Sequence, residues 1–439
     1  MVPAMKLKST PGALALLPLA LAPTLAHAQD LAADAVDSGD TAFVLGAALL
    51  AFAMMLPGVV LHHGGALRAR AFAALGTQIG AIVAVVSLLW IVVGYTLAFG
   101  AVTNGWLGSG NAWMLIDLAN VRGNSAVPEV AFVWLQLGFV VLAATLLTGA
   151  WAERGNIAWI VPFAGLWSIL VYAPITHWLA GDGWLASRLG AIDFGGALNV
   201  HACVGISALV ITLLMGRRAP WAQGLRGQGH APALSLAGSG MVWIALLALT
   251  AGATLAASDD AGSTLVNLQV AAAAGALSWL LIDAMTLGKV QPLSLARGAL
   301  SGLIAASAAA SACAPGMAMV AGLAGAVAAR VAARLIRAGT IDDAVDLVSV
   351  HGVAGLSGAM LAAPLIAGTL GGAGYAPGMG LVRQIVAQAV AAGVVLAWSA
   401  IGTAIAALMV AMVVPMRVTE ADEARGLDQA SHGIEPGEA

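Results

Sequence analysis

Two histidines, His201 and His351, stand where an ionisable side chain is least expected, inside long apolar runs. Each belongs to one copy of a V-H-small-x-x-G-apolar-S pattern. The copies are Val200-His201-Ala202-Cys203-Val204-Gly205-Ile206-Ser207 and Val350-His351-Gly352-Val353-Ala354-Gly355-Leu356-Ser357, 150 residues apart. Each has an aspartate upstream, Asp193 and Asp346. An ionisable group at membrane depth is costly and marks a functional site by default. Burial disfavours the imidazolium, so two neutral rings, or a pair that shares at most one proton, are expected; each neutral ring has one donor and one acceptor to share. Such a lining accepts a small hydrogen-bonding solute in an apolar conduit, or relays a proton. The bland alternative is a packing pair that joins two helices. A metal site needs more ligands than this, and no Cys, Asp or Glu cluster supplies them. Cys203 and Cys313 both fall in apolar spans and read as small buried hydrophobes.

The positioning elements are membrane spans. The chain is 61% hydrophobic and 9% charged, with a mean hydropathy of +0.94. A soluble domain carries about 25% charged residues, so solubility is excluded. The expected architecture is an all-α polytopic membrane protein. Eleven spans are placed near 41–61, 72–98, 127–150, 157–177, 194–215, 234–256, 264–287, 298–314, 316–338, 344–369 and 381–415. Most are long enough to cross about 30 Å of hydrocarbon as helices. Two groups of five, about 41–215 and 234–369, place the histidine patterns in spans five and ten. An odd-numbered repeat inverts on duplication, so the halves are expected to meet at a central site. The eleventh helix, 381–415, precedes a polar tail, 416–439. The 54 glycines suit close helix packing in lipid, and thirteen tryptophans suit an interfacial belt.

Residues 1–28 read as a secretory signal peptide. Lys6 and Lys8 form a basic start, Ala13 to Leu21 an apolar core, and Ala26-His27-Ala28 a cleavage site before Gln29. A polar lead, 29–40, would then be external. With that orientation thirteen Lys and Arg fall inside, and Arg122, Arg188 and Arg383 fall outside. That partition obeys the positive-inside rule, with the C-terminus cytoplasmic in a bacterial inner (plasma) membrane. Single residues say less. Asp193 opens span five and either caps that helix or steadies a nearby cation. Asp346 is expected as its counterpart. Phe139 is an apolar ring able to gate a pore or fill a core. No phosphate loop, nucleophile triad or nucleic-acid patch is present, and no enzyme is expected.

Together these residues resemble the ammonium transporter family, the Amt/Mep/Rh superfamily, from about Asp40 to Glu435. The markers are Pro57-Gly58, Gly64-Gly65, the run Gly94 to Gly100, Ala152-Glu153-Arg154, and Gly190 to Gly196 leading to His201. Asp342-Asp343 leading to Val350-His351-Gly352 follows, with Arg425-Gly426-Leu427-Asp428 and Ser431-His432-Gly433 in the tail. The resemblance implies eleven helices in two inverted five-helix halves and a homotrimer with one pore per protomer. It implies ammonium as substrate, no cofactor, and a PII-type signalling partner at the tail and internal loops. His201 and His351 take the place of the family's pore histidines, Asp193 of its structural aspartate, and Phe139 of its inner gating ring.

The chain also departs from that pattern. The vestibule tryptophan position is Ala180, with Trp178 and Trp184 near it. The outer phenylalanine is Leu135 and the second gating phenylalanine is Leu249. The cation-binding serine is Ala253, and the tyrosine before Gly64-Gly65 is His63. A ring face near a cation contributes about 0.5–2 kcal/mol and a charged hydrogen bond about 1.5–3. Losing both weakens recruitment by about one to three powers of ten. Besides a transporter, two other functions fit such a vestibule. One is an ammonium-sensing receptor signalling through a partner. The other is a conduit for another small solute such as methylamine or carbon dioxide.

Overall fold

The computed structural model describes residues 36–434 apart from 104, 111–112, 219–228 and 340. The signal peptide and most of the polar lead lie outside the described residues, as does Arg226. Ten described helices are long and apolar enough to cross a membrane: α1 Ser38–Ala66, α2 Ala69–Phe99, α3 Glu129–Trp151, α4 Ile157–Ser187, α5 Ala197–Met215, α6 Pro232–Gly252, α7 Asp259–Leu287, α9 Pro315–Ala338, α10 Val348–Leu365 and α11 Leu381–Ala411. Between α7 and α9 lies α8, Pro292–Ser307, which at 16 residues is shorter than the rest. The eighth span, expected at 298–314, therefore begins and ends earlier. Pro292 starts it, since a proline suits a first helical turn, and Ser307 ends it in a run of turns. Span seven begins at Asp259 rather than 264, with two acidic residues in its first turn where they favour a helix start.

Local chemistry sets several other starts. The Asp37 carboxylate accepts from the Asp40 N–H at 2.8 Å and opens α1. Asn156 does the same for Ala158 at 3.1 Å and opens α4. Pro232 and Pro315 begin α6 and α9. The all-α expectation meets one exception, an antiparallel hairpin of β1 Ala101–Thr103 and β2 Leu107–Ser109 between α2 and α3. Its strands are too short to show a period of two in the sequence.

Helix α3 lies at the centre: 89% of its most apolar window is buried, against 28% for α11 at the periphery. α1 packs along α6, and α7, α8 and α9 form a tight set. The bundle has two ends. One, the head end, carries the start of α1, the hairpin and the α6–α7 connection; there Asp37 donates its N–H to Ala126 and Asp40 accepts from Ala257. The other, the tail end, carries the segment after α11 with α12 Glu420–Arg425 and α13 Leu427–His432.

Candidate functional site

The two histidine patterns fold alike. Ala197–Ala202 and Val348–Val353 are single wide π-helical turns that open α5 and α10. Such turns recur where a helix must re-aim a side chain. Gly196 enters the first at φ 81°, a left-handed angle that favours glycine. Asp193 caps that turn, its carboxylate accepting from the N–H of Leu198 at 3.0 Å and Asn199 at 2.8 Å. Burial pushes this carboxyl up to about 6, against the pull of those N–H groups.

On the other side the counterpart is Asp343, not Asp346. The Asp343 carboxylate accepts from Leu347 at 2.8 Å and Val348 at 2.9 Å. Asp346 instead lies 2.6 Å from both Arg297 and Arg337. Burial and the neighbouring Asp346 charge push Asp343 up to about 7.

Close backbone approach then joins the two turns. A Cβ on Gly205 would stand 2.2 Å from Gly352 Cα, and one on Gly355 would stand 2.4 Å from Ala197 O. No other residue fits either place without separating α5 from α10. The outcome is His201 Nδ1 at 3.0 Å from His351 Nδ1, ring centroids 5.1 Å apart. One ring donates and the other accepts. Both are buried, and His201 Nε2 has no hydrogen-bond partner among the described residues.

Phe139 is buried in α3. Leu249 of α6 reaches over its neighbour, with Cδ2 2.8 Å from where a Cβ at Gly138 would stand. Leu135, one turn before Phe139, packs against Gly252, next to the half-buried Ala253. Leu135 and Leu249 therefore share the α3–α6 interface, with Phe139 and Ala253 each next in sequence to a residue of it. Ala180 stands exposed at the head end of α4. Trp178 does not turn its indole into that place. It is buried, donates from Nε1 to the Trp106 carbonyl at 2.8 Å, and packs against Trp398 with centroids 5.2 Å apart. Trp184 leans on Trp106 at 5.7 Å.

Two further assemblies come together only in the fold. At the head end, Arg122 lies over the Phe132 ring at 4.2 Å and pairs with buried Glu129 at 3.3 Å. Arg122 and Glu129, with Tyr95, Phe99 and Asp117, line a cavity of about 420 Å³. At the tail end a buried ionic network joins four connections. Asp342 lies 3.2 Å from Arg154 and 2.8 Å from Arg218. Arg218 lies 2.9 Å from Glu153, which in turn meets Arg68 at 3.2 Å. Burial opposes ionisation of Asp342, but the two guanidiniums hold its carboxyl below the usual carboxylate range. The tail docks beside this network: Asp428 accepts from the Ala74 N–H at 2.8 Å, and Arg417 pairs with Glu423 at 2.5 Å. Residues far apart in sequence build both assemblies, so the motifs that hold Tyr95, Phe99, Glu153, Arg154 and Asp342 do not by themselves announce their partners. Among the described residues no group of three or more His, Cys, Asp or Glu is placed to hold a metal ion.

Residues 42–435 match the model of the Ammonium Transporter Family. An ammonium transporter of Mycobacterium tuberculosis is 32% identical, the match covering 90% of this chain and 89% of that one. One of Aquifex aeolicus is 31% identical over 91% and 93%. Among solved structures, a "Sensor Amt Protein" superposes with a TM-score of 0.83 at 27% identity, covering 90% of this chain and 98% of that chain. Mep2 of Candida albicans gives 0.78 at 28%, covering 88% and 87%.

Proposed function

The chain belongs to the ammonium transporter family, and on that premise we propose that it moves ammonium nitrogen through a pore lined by His201 and His351. It is a multi-pass membrane protein and not an enzyme. In this reading α8 serves as the eleventh crossing, and the two five-helix halves are inverted about the histidine pair. The head end faces outside and the tail end the cytoplasm of a bacterial cell, in the inner membrane. Three protomers assemble, each with its own pore.

The observation that carries the reading is the buried His201–His351 contact at 3.0 Å inside an apolar bundle. A bare ammonium ion would face a cost of several kcal/mol in such a conduit, whereas neutral ammonia would not. Deprotonation therefore precedes entry, at the level of Leu135, Ala253 and Ala180, with the proton passing to water at the head end. Phe139 and Leu249 close the passage above the histidines, and Asp193 holds the α5 turn in place. Ammonia then exchanges hydrogen bonds with the two imidazoles. The docked tail offers a PII-type signalling protein a surface at the cytoplasmic end.

Uptake of labelled methylammonium, competed by ammonium, tests this in cells lacking other ammonium carriers. Ala180→Trp with Ala253→Ser is expected to lower the half-saturating concentration by about 10-fold or more, since a ring face and a charged hydrogen bond are restored. An unchanged half-saturating concentration would show that recruitment does not occur at these positions. A second reading, ammonium sensing with little transport, draws support from the likeness to the sensor protein. Absence of uptake in a correctly assembled protein would favour it.

A further inference from the structure

A second pair of buried histidines, His62 and His63, closes the tail end of α1. Their rings lie 5.5 Å apart. His63 lies close to the start of the segment that carries His351. Its Cε1 and the Leu347 side chain are each 3.5 Å from where a Cβ at Gly149 would stand, and Leu347 immediately precedes the turn that carries His351.

Hydrogen bonding sets the tautomer of His63. The Thr148 hydroxyl donates its one proton to the Thr145 carbonyl at 2.7 Å. It can therefore only accept from His63 Nδ1, 3.0 Å away, so Nδ1 carries the hydrogen. That leaves His63 Nε2 as a bare acceptor. It is buried, on a side chain 1% exposed, and no described group satisfies it. A buried acceptor without a partner is costly and calls for an explanation. His62 is fixed in the same sense, its Nδ1 facing the Ser235 carbonyl at 3.2 Å.

We propose that His63 Nε2 is an exit-side binding site, accepting an N–H of the small neutral amine after it leaves the His201–His351 pair. The inference rests on the transport reading above and adds to it a third hydrogen-bonding station. Ammonia has three N–H donors and suits a lone acceptor nitrogen. The station also relieves the apolar stretch at Leu347, where a polar solute otherwise loses every partner.

The test is the saturable current of purified protein in proteoliposomes after an ammonium pulse. Wild type is compared with His63→Phe, His63→Gln and Thr148→Val, with trimer assembly checked by size. His63→Phe keeps a ring but removes the acceptor, and is expected to lower the current about tenfold. His63→Gln restores an acceptor oxygen and is expected to stay within about twofold of wild type. A merely structural role would not separate those two. Thr148→Val frees the tautomer and is expected to lower the current severalfold; it decides the matter if His63→Phe fails to assemble. A wild-type current that His63→Phe, or in its place Thr148→Val, leaves within twofold overturns the inference while the transport reading stands. An assembled wild type that shows neither a current nor an internal pH rise overturns both; where only the pH rise appears, it replaces the current as the readout for every variant.

Discussion

Replacing His201 with alanine is expected to lower saturable ammonium transport by about tenfold or more while the bundle still assembles. The reasoning runs from geometry. The Nδ1–Nδ1 contact at 3.0 Å makes one ring donor and the other acceptor, and His201 Nε2 is a buried polar atom with no described partner. Alanine removes that hydrogen-bonding atom from the conduit and leaves His351 Nδ1 unpaired. One lost hydrogen bond near 1.4 kcal/mol is a factor of about ten in flux. The folding cost of an orphaned polar group is about 1–3 kcal/mol, which a bundle of this size tolerates. His351→Ala is expected to behave alike. The double variant is expected to fall well short of the product of the two losses, because the rings act as one unit. Flux measured in vesicles with all three variants checks this; fully multiplicative losses would mean two independent roles.

The largest effect on stability is expected at the tail end. Asp342→Ala should destabilise the fold by about 3–5 kcal/mol, because it strands charges that burial makes expensive. Arg154 is wholly buried, and burial draws its guanidinium down to about 10 even with Asp342 beside it. Arg218 loses the side-chain contacts of both its Nε and Nη2, at 2.9 and 2.8 Å. Thermal unfolding in detergent reads the change, and a midpoint equal to wild type would contradict the network's role. The pH dependence has a definite sign. The folded Asp342 carboxyl lies below its unfolded value, so its contribution is full above about pH 4 and is lost as pH falls through the folded value. Acid should therefore narrow the gap between wild type and Asp342→Ala.

The central pair was legible because charge-capable residues are rare in apolar spans, and because the pattern around His201 recurs at His351. Its glycines were legible as well: the pattern's Gly205 and Gly355 are the positions where backbone must meet backbone. The aspartate partners were half legible. Asp193 and Asp343 each stand eight residues before their histidine, whereas Asp346 stands five before. Matching the offset identifies Asp343 without a structure. What stayed hidden depends on long-range folding. Glu153, Arg218 and Asp342 come from three separate connections. His63 stood out only as a departure from a tyrosine. Its acceptor role follows from a threonine 85 residues away that spends its proton elsewhere. The vestibule shows the same limit. Trp178 lies two residues from Ala180, yet its indole is held by Trp106 and Trp398.

The most direct measurement is the current evoked by an ammonium pulse on a supported membrane carrying the purified protein, beside His201→Ala. A saturable wild-type current that His201→Ala lowers about tenfold or more is the result expected of a histidine-lined ammonium conduit. A wild-type current that His201→Ala leaves intact would contradict it, for the solute would then travel by a path that the two histidines do not line.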